Sequence, residues 1–207
     1  MAPAPLKLLA LNCTLKSKRS NEQSSTDVLL GQIVEELGKY DCNGEIIRVV
    51  DLNIKLGVTS DEGEGDDWPA LRKRILDADV LVVGTPIWLG QPSSVAKRIF
   101  ERMDAFFSEK DDQQRTPAFG RTGAVAVVGN EDGAHHVSAE LFQCLLDVGF
   151  AIPPHALTYW VGEALGETDY KDLMRTPKPV AQMTQMLAAN VAHMARLLKR
   201  DRFPGLQ

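Results

Sequence analysis

Three polar loops carry the side chains that could do chemistry in this chain, and each loop directly follows an apolar run. The first follows residues 6–11 and offers hydroxyls, a cation and the start of a helix at about Ser24. Oriented amides and hydroxyls at a helix N-terminus favour a phosphate monoester, whereas the alternative is an ordinary serine cap beside a solvated basic loop. The candidate residues are Thr14, Lys16, Ser24, Ser25 and Thr26.

The second loop follows the apolar run 80–83 and carries a large aromatic side chain. Because Pro86 has no backbone N–H, we expect the strand to stop before it and a turn to lift Trp88 to the strand's carboxyl end. Such a turn suits a flat ligand with polar edges, and the alternative is an indole that fills the core or a subunit contact. The candidate residues are Thr85, Pro86, Ile87, Trp88, Leu89 and Gly90.

The third loop follows the apolar run 122–129, and its alternative interpretation is a plain turn with an aspartate cap. His135 and His136 come next, but neighbouring helical residues point apart and cannot both reach one metal ion. No metal site is therefore predicted, and the role of the two histidines stays open. The candidate ligand-binding residues of this loop are Gly129, Asn130, Glu131, Asp132 and Gly133.

Several function classes lose support because their motifs are absent from the sequence. Neither G-x-x-x-x-G-K-[ST] nor G-x-G-x-x-G follows the first strand, which argues against a nucleoside triphosphate or a dinucleotide in this loop. Cys13, Cys42 and Cys144 are too dispersed to predict disulfides or an iron–sulfur cluster, and a reducing cytoplasm is the expected location. No Ser-His-Asp or Cys-His pairing stands out, so no catalytic side chain is predicted.

The composition is typical of a soluble globular protein. The 207 residues are 44% hydrophobic and 25% charged, a length and balance that predict a single domain. This domain would span residues 1–207, with its core at about 6–200 and a tail at 201–207. A formal net charge of −5 disfavours nucleic acid and anionic membranes as partners. No segment reaches membrane-spanning length, and no secretory signal is recognisable.

Apolar periodicity predicts an alternation of strands and helices that would bring the three loops together. The expected architecture is α/β, a three-layer doubly wound parallel sheet of five strands in the order 2-1-3-4-5. Its switch point lies between strands one and three, where the first two loops meet and the third lies alongside. The predicted strands are 6–11, 46–52, 80–83, 122–129 and 156–159. One helix is predicted to begin at residue 24, and four more are predicted at 68–77, 92–108, 134–148 and 179–199. Residues 53–67 are predicted to form an irregular surface excursion.

Three segments of the chain resemble the flavodoxin-like NAD(P)H-dependent FMN reductases. They are Asn12-Cys13-Thr14-Leu15-Lys16 with Ser24-Ser25-Thr26, the Gly-Thr-Pro-Ile-Trp-Leu-Gly-Gln-Pro-Ser-Ser run at 84–94, and Gly-Asn-Glu-Asp-Gly-Ala-His-His at 129–136. The resemblance implies FMN at the switch point, with its phosphate on the first loop and its isoalloxazine against the second and third. It also implies NAD(P)H as co-substrate and a homodimer or homotetramer with the flavin near a subunit interface.

The resemblance also implies roles for individual groups. The amides of Leu89 and Gly90 would meet the N5 and O4 edge of the ring, and amides of residues 130–133 would stabilise negative charge on the reduced flavin. Trp88 would flank the ring or the substrate pocket. Thr14 and Lys16 stand where many relatives have Ser and Arg, and the absence of cysteine from 52–68 argues against the iron–sulfur branch of the family.

These observations favour an FMN-dependent oxidoreductase that takes hydride from NAD(P)H. Its acceptor would be a small molecule such as a quinone, a nitro or azo compound, or free flavin. A flavodoxin-type electron carrier and a flavin-free binding module on the same fold are the alternatives.

Overall fold

One parallel sheet with helices on both faces forms the protein in the computed structural model, which describes residues 4–164 and 166–207. Within these residues the strand order is β2-β1-β3-β5-β6, and the short β4 pairs antiparallel with β3. Leaving β4 aside, this is the predicted doubly wound order. The strands are β1 (Leu6–Asn12), β2 (Cys42–Arg48), β3 (Val80–Trp88), β4 (Gln91–Pro92), β5 (Thr122–Gly129) and β6 (Leu157–Val161); the helices are α1 (Ser25–Gly38), α2 (Trp68–Asp77), α3 (Ser94–Met103), α4 (Ala134–Asp147) and α5 (Lys178–Arg200).

Two apolar layers sandwich the sheet because successive strand residues point to opposite faces. In β1, Leu9 and Leu11 pack with α2, α3 and α4, whereas Leu8 and Ala10 pack with α1 and α5. Both faces of β1, β3 and β5 are buried, as their continuous apolar runs predict, whereas the edge strands β2 and β6 are partly exposed. None of the helices in the described residues combines the length and hydropathy that a membrane crossing requires.

The central strand β3 continues five residues beyond its predicted end and passes through Pro86. The Gly84 carbonyl faces β1, where it accepts a hydrogen bond from the Cys13 amide. The backbone groups of residue 86, two positions later, point to the same side of β3, but β1 has already ended at Asn12. The missing N–H of Pro86 therefore costs no ladder bond, and on the other side β3 stays paired with β5 as far as Val128.

The second strand also differs from its prediction, since it begins at Cys42 instead of residue 46. Gly44 suggests a turn by its type, yet it lies inside the strand and opposite Leu8. A Cβ at this position would overlap the backbone carbonyl of Leu8, so this glycine permits a close approach of two strands. Residues after Arg48 leave the sheet in a short 3₁₀ turn at Val49–Asp51.

The irregular excursion at 53–67 is anchored by a buried ion pair. Arg102 on α3 donates to Asp66 at 2.7 Å, and both side chains are completely buried. The same guanidinium donates to the carbonyls of Lys55 and Thr59. The Asp66 carboxylate additionally accepts backbone N–H bonds from Lys55, Glu62 and Trp68. An apparently featureless loop therefore has a fixed course over α3.

Candidate functional site

A cavity of about 450 Å³ lies at the carboxyl ends of the parallel strands, and all three predicted loops contribute to its wall. Twelve of the sixteen predicted residues line it: Thr14, Lys16, Ser24, Ser25, Thr26, Pro86, Ile87, Trp88, Leu89, Gly129, Asn130 and Glu131. Four do not line it: Thr85, Gly90, Asp132 and Gly133. The predicted topology accounts for this convergence, because the loops that follow neighbouring parallel strands meet at one edge.

Three hydroxyls at one end of the cavity are held as donors. Ser24 Oγ caps α1 by accepting from the Thr26 and Asp27 amides at 3.1 and 3.4 Å. Thr14 Oγ1 accepts from the Lys16 amide at 3.2 Å, and Ser25 Oγ accepts from the Lys171 amide at 3.3 Å. Each oxygen accepts one or two backbone hydrogen bonds, none of the three O–H groups has an acceptor among the described residues, and each O–H can therefore donate to a ligand in the cavity. Together with the positive end of α1, this arrangement favours an anion with several oxygens.

A polar network behind the first loop fixes its path. The side-chain amide of Asn12 donates to Asp27, and its oxygen accepts from the Thr14 amide at 2.9 Å. Arg48 on β2 pairs with the same Asp27 carboxylate and also donates to the Lys16 carbonyl. The negative charge of Asp27 beside the anion seat is thereby compensated. Lys16 itself pairs with Glu22 at 3.3 Å, so its charge is shared between the cavity and an exposed carboxylate.

The predicted turn of the second loop is the tip of a β-hairpin between β3 and β4. Trp88 on β3 pairs with Gln91 on β4, and the two residues between them both have positive φ, 53° at Leu89 and 72° at Gly90. This backbone is that of the tight turns with two left-handed residues. Trp88 is 50% exposed and lines the cavity, so it is not a core plug. Thr85 is fully buried, and its hydroxyl accepts from the Ser93 amide at the start of α3.

The hairpin amides are engaged differently from the arrangement that the resemblance implies. The Leu89 and Gly90 N–H groups donate to the two carboxylate oxygens of Glu131, at 2.9 and 3.3 Å. The Gly133 amide likewise donates to the Asp132 carboxylate at 2.7 Å. Three backbone donors expected to face a ligand edge are therefore bound to carboxylates of the third loop.

A fourth wall of the cavity comes from β6 and the segment after it, where no site residue was predicted. Asp169 accepts from Asn130 Nδ2 at 2.9 Å, and the buried Tyr170 hydroxyl donates to Gln32 on α1 at 2.6 Å. Burial raises the Tyr170 pKa, so its hydroxyl stays protonated at neutral pH. An aromatic residue at the end of the last strand was the available signal, but the predicted strand stopped one residue short of it. The added lining residues are Val128, Trp160, Asp169 and Tyr170.

The donor set defines what the site can hold. Burial raises the pKa of the Cys13 thiol far above its ordinary value, so this first-loop cysteine is not a thiolate nucleophile. Among the described residues no group of three or more His, Cys, Asp and Glu side chains is arranged to hold a metal ion. Hydroxyl donors at one end and the Trp88 and Trp160 indoles along the walls fit a phosphate monoester that carries a planar ring, as FMN does.

The relatives of this chain include flavin proteins. The 8-demethyl-8-aminoriboflavin-5'-phosphate synthase of Streptomyces davaonensis is 33% identical over 208 residues, which cover 94% of this chain and 79% of the synthase. The divalent metal cation transporter MntH of Mycobacterium bovis is 36% identical over 202 residues, or 94% of this chain. This chain spans only 29% of that transporter's length.

Solved structures show the same fold. RosB with the bound intermediate 8-demethyl-8-formylriboflavin-5'-phosphate superposes with a TM-score of 0.85 at 30% identity, covering 96% of this chain and 82% of RosB. A flavodoxin from the domain Archaea superposes with a TM-score of 0.58 at 10% identity, covering 92% of this chain and 99% of the flavodoxin. Residues 6–165 match the family described as NADPH-dependent FMN reductase. The chain therefore belongs to the NADPH-dependent FMN reductase family and has its flavodoxin-like fold.

Proposed function

We propose that the cavity binds FMN and that the protein is an oxidoreductase that accepts hydride from NADH or NADPH and reduces a small acceptor. The observation that carries this proposal is a set of three hydroxyls, one from the first loop and two from the N-terminus of α1, in a cavity that indoles also line. A quinone, a nitro or azo compound, or free flavin is the class of acceptor proposed.

Each part of the site has a distinct task in this proposal. Thr14, Ser24 and Ser25 hold the phosphate, while Trp88 and Trp160 confine the ring. Bound FMN supplies the hydride acceptor and then the electrons for the second substrate, so the chain needs no side-chain nucleophile. The nicotinamide and the acceptor would reach the ring from the open side of the cavity, beside the half-exposed indole of Trp88.

Self-association in the cytoplasm is part of the proposal. Leu89 at the hairpin tip is 92% exposed next to Trp88, and apolar groups presented together at a cavity rim suit a subunit contact. A homodimer or homotetramer would cover Leu89 and place the flavin near a subunit interface, as the family resemblance implies.

Hydride transfer is tested with protein loaded with FMN under anaerobic conditions. We expect NADH or NADPH to bleach the flavin absorbance, and menadione to sustain nicotinamide oxidation over many turnovers. The control is the same mixture without protein, because free FMN reacts slowly by itself. Flavin that binds but is reduced by neither nicotinamide would favour the electron-carrier alternative, and protein that takes up no FMN would favour the flavin-free module.

A flavin-modifying activity is the second candidate. It is favoured by the similarity to the aminoriboflavin phosphate synthase and to RosB, whose bound molecule is itself a riboflavin 5'-phosphate with an altered 8-position. FMN would then be the substrate and would leave the cavity changed. Mass spectrometry of the flavin recovered after incubation with an amine donor and oxygen distinguishes the two, since a reductase returns FMN unaltered.

A further inference from the structure

Glu131 bridges two walls of the cavity. It belongs to the third loop, yet its carboxylate binds two successive amides at the tip of the hairpin, 42 and 41 residues earlier in the chain. Two neighbouring residues with positive φ turn both N–H groups toward one side, which forms a small anion-binding concavity. The protein fills this concavity with its own carboxylate.

The surrounding contacts hold the carboxylate in place. A Cβ added at Gly133 would lie 3.0 Å from Gly90 Cα, so the third loop packs directly on the hairpin. Gln91 Nε2 also lies 2.9 Å from His136 Nε2 at the start of α4. Glu131 therefore joins two segments that also contact each other at Gly133 and His136.

This arrangement changes the electrostatics of the cavity wall. Free amides at the hairpin tip would stabilise negative charge on a bound ring edge, as preorganised donors do. Amides already bound to a carboxylate offer less, and the carboxylate adds a negative charge of its own. Asp169 is a second carboxylate of the same cavity, and the Lys16 cation, which also lines the cavity, pairs with Glu22.

We infer that Glu131 is a positioning residue that lowers the affinity of the site for reduced FMN relative to oxidised FMN. It does so by occupying the Leu89 and Gly90 amides and by placing a carboxylate at the ring-binding wall. A site that binds the oxidised form of a ligand in preference to the reduced form makes the ligand harder to reduce. Bound FMN therefore has a lower reduction potential than it would have without the contact of Glu131 with the hairpin. The inference rests on the proposed FMN site.

The test compares wild type with Glu131→Gln and Glu131→Ala. Both variants remove the negative charge. Glu131→Gln releases the Leu89 and Gly90 amides in part, and Glu131→Ala releases them in full. The dissociation constants of oxidised and reduced FMN are measured by anaerobic titration, and the reduction potential is measured independently by dye equilibration. We expect the ratio of reduced to oxidised affinity to rise about tenfold, equivalent to about 30 mV for a two-electron couple.

Asp132→Asn is the matched control, because it removes one charge from the same loop at a residue that does not line the cavity, while its Oδ1 can still accept from the Gly133 amide. The inference is overturned if Glu131→Gln weakens both redox forms equally, which is the signature of a purely structural contact. It is also overturned if Asp132→Asn changes the ratio as much, since general charge would then be the cause. A wild type that binds no FMN would refute the proposed function and this inference with it, and is distinguished by the first titration.

Discussion

Ser25→Ala tests the anion seat through one hydroxyl. The substitution removes an O–H that is left to donate into the cavity, because Ser25 Oγ already accepts from the Lys171 amide. A hydrogen bond to a charged group contributes about 1.5–3 kcal/mol, so we expect FMN to bind roughly 10- to 150-fold more weakly. The lost contact with Lys171 is long, at 3.3 Å, and should cost the fold less than about 1 kcal/mol.

Riboflavin makes this measurement specific, because it carries the same ring without the phosphate. Fluorescence titration should give an unchanged riboflavin affinity in Ser25→Ala, so that the preference for FMN over riboflavin collapses. Ser20→Ala is the control, since Ser20 is exposed, does not line the cavity, and donates its hydroxyl to the Ser17 carbonyl. Equal weakening of both ligands, or no weakening of FMN, would refute the assignment of the seat.

Two further substitutions test the framework of the site. Asp66→Asn leaves the fully buried Arg102 without its counterion, and chemical denaturation should show a loss of about 3–5 kcal/mol. Burial opposes ionisation of Asp66, but the hydrogen bonds from Arg102 and from backbone amides outweigh burial and lower the pKa of Asp66. The free energy of unfolding of the wild type should therefore fall as the pH drops below about 4. The Asp66→Asn variant should lack this contribution to the pH dependence. Gly133 has a φ of 122°, and a Cβ added there would lie 3.0 Å from Gly90. Gly133→Ala should therefore lower the thermal unfolding temperature more than Gly63→Ala, because Gly63 also has a positive φ but has no atom within 4 Å of an added Cβ. Equal losses would contradict the packing of the third loop on the hairpin.

Apolar runs and their order were sufficient to predict the sheet. The strand at residues 122–129 and the helix at 68–77 have the predicted bounds, because the local pattern of apolar residues is sufficient to indicate both elements. Two errors in the strand bounds fall at Pro86 and Gly44, residue types that usually end strands but that here lie inside them because of their neighbours. Pro86 lies where β1 has ended, and Gly44 permits the approach of Leu8.

The candidate site was predictable in composition but not in its hydrogen bonding. Residues that follow the strands could be listed from topology, and twelve of them line one cavity. The contact of Glu131 with the hairpin depends on two loops that approach each other only in the folded chain. The same holds for Asp169 and Tyr170, which lie in a segment without apolar periodicity and reach the cavity through contacts with Asn130 and Gln32.

The most direct test of the account is a titration of the purified protein with FMN. We predict saturable binding of one FMN per chain, quenching of flavin fluorescence by the indoles that line the cavity, and weaker binding of riboflavin because it cannot use the hydroxyls of Thr14, Ser24 and Ser25. The absence of saturable binding, or equal affinity for FMN and riboflavin, would contradict the claim that this cavity is an FMN site.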